Sequence, residues 1–70
     1  MKLWPQSLTG HRVIVNTKTG RAFRGVVENE HAGTIRLSDV QMLREGGAVV
    51  PLDGQVIVRG ENTDFVQVVD

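Results

Sequence analysis

Seventy residues make one small domain and leave no room for two. Eight Lys and Arg balance eight Asp and Glu, which argues against nucleic-acid binding by bulk attraction but leaves a local basic site open. The chain has no cysteine, which removes disulfides, thiolate metal centres and cysteine nucleophiles, and no stretch approaches the roughly 18 apolar residues of a membrane helix. The expected setting is therefore soluble and cytoplasmic. A core this small, with nothing to staple it, commonly gains burial by oligomerising, and self-association is expected.

Twenty β-branched residues (twelve Val, three Ile, five Thr) against three Ala and five Leu predict an all-β chain. From His11, Val13 and Val15 fall on one face with Ile14 opposite, and Thr17-Lys18-Thr19-Gly20 supplies a turn. A second strand carries Phe23, Gly25 and Val27 on one face and Arg24, Val26 and Glu28 on the other, until Asn29 to Gly33 breaks it. Thr34 to Leu43 is the third strand, with Ile35 and Leu37 inward and Arg36 and Ser38 outward, ended by Glu45-Gly46-Gly47. Ala48 to Val58 reads as one long bent strand or a strand pair, disturbed at Pro51 and Asp53-Gly54; Thr63 to Val69 is the last strand. Five such strands fit a small, strongly bent open barrel, with the sharp bend at Gly25, where a missing side chain permits coiling. Leu3, Trp4 and Leu8 have near-helical spacing. The expected organisation is a helical turn over residues 1–10, capping one barrel mouth, and a barrel over 11–70.

The segment Val13 to Val27, an alternating strand followed by Gly20, an aromatic three residues on and Gly25 two after that, resembles the first motif of the Sm and Sm-like (LSm) proteins. Val56-Ile57-Val58-Arg59-Gly60, followed by a short turn into an apolar strand, resembles their second motif. The resemblance implies a short N-terminal helix on a five-stranded, SH3-type open barrel. It also implies homo-oligomeric rings of six or seven, closed by pairing the fourth strand of one subunit with the fifth of the next. Two exposed apolar edges point the same way on physical grounds, since head-to-tail closure removes both. In that family the pore-side loops bind single-stranded RNA, typically uridine-rich, and this is the partner expected here. The chain is compact enough for a phage or accessory bacterial protein.

Carried over residue by residue, the resemblance places the RNA site at Arg59 and Gly60 together with His31, Gly33 and Thr34. The second half departs from the family pattern. Glu30-His31-Ala32-Gly33-Thr34 stands where Asp, any residue, a stacking aromatic or His, Met and Asn are usual, so Ala32 has no stacking ring and Thr34 has a hydroxyl in place of an amide. His31 is either a turn residue tolerating an unusual backbone conformation or a base stacker. Arg21, Arg24 and Arg36 alternate with Glu28 and Glu30, the pattern of a solvated face with cross-strand ion pairs. No metal site, cofactor, membrane contact or small-molecule substrate is expected: His11 and His31 lack a third ligand, and no serine, glycine loop or carboxylate pair has a catalytic setting. Two non-enzymatic functions remain. The preferred one is a ring-forming RNA-binding module, and the alternative is a structural or protein-interaction module of the same fold.

Overall fold

The alternation of Val13, Val15 and Thr17 toward the interior makes Arg12–Thr17 (β1) one stave of the barrel. The computed structural model describes residues 7–70, so most of the expected helical turn over 1–10 lies outside the described residues. From Ser7 the chain runs through a turn in which the His11 N–H donates to the Leu8 carbonyl at 2.9 Å, and Gly10 N–H donates to Val27. Leu8 is buried with the core, and its N–H donates to Glu30 Oε1.

The remaining strands are Ala22–His31 (β2), Thr34–Leu43 (β3), Val49–Pro51 (β4), Val56–Arg59 (β5) and Thr63–Val68 (β6), with 3-10 turns at Glu45–Gly47 and Gly60–Asn62. All pairings are antiparallel, in the order β4-β3-β2-β1-β6, and β5 pairs with the start of β3. Of the two readings of Ala48 to Val58, the strand pair is the one found. Pro51 has no N–H to continue a ladder, and Leu52 N–H turns back to the Val40 carbonyl at 2.9 Å. The second break is also tighter than expected: β2 runs through Asn29 and Glu30 to His31, leaving only Ala32 and Gly33 as the turn.

Gly25 lies where the sequence places the bend. The β2–β3 register jumps there, from Arg24↔Gln41 to Val26↔Ser38, so Asp39 and Val40 oppose one residue. Asp39 takes a left-handed φ of 51° at this bulge, which resets the alternation of β3. Val40 accordingly points inward beside Ile35 and Leu37, joining Val13, Val15, Val27 and Val58 in the core. Phe23 packs against this cluster from a half-buried position.

The expected cross-strand Arg–Glu pairs do not form. Arg24 donates to Gln41 Oε1 from Nε at 3.2 Å and Nη2 at 2.8 Å, and Glu28 accepts from Ser38. The ion pairs among the described residues are His11–Asp70, Arg12–Asp39 and Arg59–Glu61. Asp70 accepts from the His11 ring and from the Arg12 N–H at 3.2 Å; the ring contact and then the backbone bond hold its carboxyl below the ordinary aspartate value.

β5 bonds only to β3 and β6 only to β1, so the barrel is open between them among the described residues. Both strands leave apolar side chains exposed: Ile57 is 60% exposed, Phe65 52% and Val68 51%.

Candidate nucleic-acid interface

Two turns meet at one end of the barrel. Ala32 (φ 50°) and Gly33 (φ 80°) are both left-handed, the conformation of a two-residue type I′ hairpin whose twist suits its strands. Glycine adopts it freely, whereas alanine does so at a cost of about 1–2 kcal/mol. Ala32→Asn is therefore expected to stabilise the fold by about 0.5–1 kcal/mol, read as a higher urea midpoint with an unchanged slope.

The other turn follows β5. Gly60 N–H donates to the Gly33 carbonyl at 2.6 Å, tying the two turns together, and Thr34 faces Arg59 across the β3–β5 ladder. The buried Thr63 donates its hydroxyl to the Arg59 carbonyl at 3.1 Å and its N–H to Gly60. These bonds hold the Arg59 backbone from both sides while leaving its side chain 76% exposed. The one acid near its guanidinium is the equally exposed Glu61, at 3.4 Å.

Between the turns lies a shallow depression of about 350 Å³, lined by Ala32, Gly33, Thr34, Arg59 and Glu61. Gly33, Thr34 and Arg59 of the expected site therefore come together, and Gly60 builds the site through its backbone. His31 is exposed at the end of β2; its carbonyl accepts the Thr34 hydroxyl at 2.7 Å, but its ring is not among the lining groups. The left-handed backbone expected of His31 falls on Ala32 and Gly33 instead. Thr34 has spent its hydroxyl proton and presents lone pairs to the depression. Glu61 is the residue that reading the sequence missed, although its position directly after Arg59-Gly60 was the available signal.

The small open barrel carries exposed polar groups on joined turns, beside two edges that pair with no further strand among the described residues. The chain belongs to the LSM domain family, whose model matches residues 5–68. It is similar to a heptameric archaeal Sm protein, with 26% identity, 90% of this chain and 91% of that one covered, and a TM-score of 0.77. It is similar also to the SmAP1 heptamer of P. aerophilum, with 26% identity, coverage of 90% and 84%, and the same TM-score of 0.77. A Pyrococcus abyssii Sm protein, solved in complex with a uridine heptamer, shares 25% identity over 89% of this chain and 87% of that chain, with a TM-score of 0.77. No curated protein sequence matches the chain.

Proposed function

We propose that the chain assembles head to tail into a ring and binds single-stranded RNA, without catalysis, at the depression centred on Arg59. The observation that carries this reading is the Arg59 turn itself: a guanidinium on a backbone fixed by Thr63 and Gly33, aimed at solvent beside an open hairpin. Such a group offers a planar stacking surface and a fork of donors for phosphate or a base edge. The Pyrococcus abyssii relative, solved with a uridine heptamer, supports the choice of a uridine-rich single strand. Ring closure repeats one weak site around a pore, and linked sites on one strand gain effective concentration without a net positive charge.

Arg59→Ala is expected to weaken binding of fluorescent oligo-U by about tenfold or more, the loss of one stacking or phosphate partner worth about 1–3 kcal/mol. The oligomer mass should be unchanged by light scattering. Glu61→Gln should act oppositely: removing the carboxylate that holds and screens Arg59 tightens binding by roughly two- to fivefold, most clearly at low salt. Oligo-A titrated alongside ranks the bases at a site whose hairpin has no stacking ring. Unaltered RNA affinity in Arg59→Ala overturns the site. A parent ring that binds neither strand would favour the structural or protein-interaction role.

A further inference from the structure

Arg21 makes no ion pair among the described residues, although all eight Asp and Glu of the chain lie among them. Its side chain is exposed while its backbone is fixed. The Arg21 carbonyl accepts from the Thr17 N–H at 2.8 Å and the Thr17 hydroxyl at 3.1 Å, and the buried Thr17 oxygen accepts from the Arg21 N–H. Arg21 lines a groove of about 240 Å³ together with Phe23, Val56, Ile57 and Arg59, so the groove lies beside the free β5 edge. Of its two arginines, Arg59 has the Glu61 carboxylate of its own chain at 3.4 Å and Arg21 has none.

The other free edge carries the converse charge. The β1–β6 register passes from Asn16↔Phe65 to Thr17↔Thr63, so Asp64 has no residue opposite it and forms a bulge at the start of β6. Asp64 is exposed, makes no ion pair among the described residues, and stands next to the exposed Phe65. Chain topology brings the two charges together between copies. The turn Gly60–Asn62 joins the end of β5 directly to the start of β6. Copies in a closed ring differ only by rotation about its axis, which leaves height and radius unchanged, so the end of β5 in one copy is level with the start of β6 in the next. The two edges therefore meet antiparallel, with the Arg59 end of β5 against the Asp64 end of β6.

We infer that Asp64 of a second copy is the carboxylate that Arg21 lacks, facing the groove beside β5 while Phe65 of that copy lays apolar surface against Ile57. The inference rests on the head-to-tail ring proposed above and adds to it the pair that fixes its register. A ladder of backbone hydrogen bonds alone permits slippage between two apolar edges, whereas a charge pair at one end permits a single alignment. Arg59, already beside Glu61, is left to the RNA strand.

The test is assembly, read by light scattering over a dilution series, with circular dichroism checking that each variant folds. D64R and R21D are each expected to raise the concentration at which the oligomer half-dissociates by about tenfold or more, since either sets like charges against each other at every joint. An equimolar mixture of D64R and R21D should assemble more tightly than either alone, because each supplies the charge the other lacks, and a pair closed within one chain cannot produce that rescue. The doubly substituted R21D/D64R should return close to the parent value. Should D64R fail to fold, R21Q and D64N replace the reversals: each weakens assembly by roughly two- to fivefold, and their combination weakens it no further. Parental assembly of D64R, a folded mixture without rescue, or additive losses in R21Q/D64N overturns the pairing and leaves the ring and the Arg59 site standing. A parent that stays monomeric at every concentration overturns the ring and the pairing together.

Discussion

Gly25→Ala is expected to lower the thermal midpoint of the protein by on the order of 10 °C through the addition of a single methyl group. A Cβ at this position would lie 2.8 Å from the Ser38 carbonyl oxygen, 3.2 Å from Val40 Cγ2 and 3.4 Å from Leu37 Cβ. The first of these is backbone at the β2–β3 bulge and cannot swing aside, so the strands must part where the sheet is most strongly bent. Overpacking of this kind costs about 1–3 kcal/mol, and in a domain of this size each kilocalorie moves the midpoint by about 4–8 °C. Gly25→Val, with two more carbons, should leave no cooperative transition. Gly20→Ala is the control, since a Cβ there meets nothing and only its left-handed backbone is strained. Equal midpoints for Gly25→Ala and the parent would show that the bend does not depend on this close approach.

The second large effect concerns assembly. Ile57→Asp and Phe65→Asp are each expected to convert the oligomer to a folded monomer, seen by light scattering with the β-sheet circular dichroism retained. Both side chains are more than half exposed, one on each free edge of the open barrel, so in the monomer a charge there meets water. In a head-to-tail ring both edges pair, and the same charge would be buried without a partner. Val66 would not separate the two effects, because it packs against the core and pairs with Val15. A full-sized oligomer in both Asp variants would place the interface on another surface.

The strands could be read from the chain because their apolar period of two and the intervening glycines agree. β1 and β3 fall where alternation and turn residues put them, and the bend at Gly25 follows from a glycine in the middle of a strand's alternation. The bulge at Asp39 could not be foreseen. Continuing the alternation of Ile35 and Leu37 would turn Asp39 inward, and it is the pairing with β2, a long-range property, that inserts the extra residue and sends Val40 to the core. The family resemblance named Gly33, Thr34, Arg59 and Gly60, but nothing local in the sequence announces the Gly60–Gly33 hydrogen bond that joins two distant turns into one surface. The arginines of the outer face were misjudged for the same reason. Spacing suggested carboxylate partners, whereas the register gives Arg24 a glutamine and leaves Arg21 and Arg36 without an ion pair among the described residues.

The interruption of the fourth strand at Pro51 has a consequence for the newly made subunit. Before it meets a second copy, the barrel exposes on that side only a three-residue and a four-residue stretch of unpaired backbone, separated by Leu52 to Gln55. Short, proline-broken edges are poor templates for indiscriminate strand addition. In the proposed ring, joining on this side therefore depends on the fit of side chains such as Ile57 more than on the length of ladder on offer.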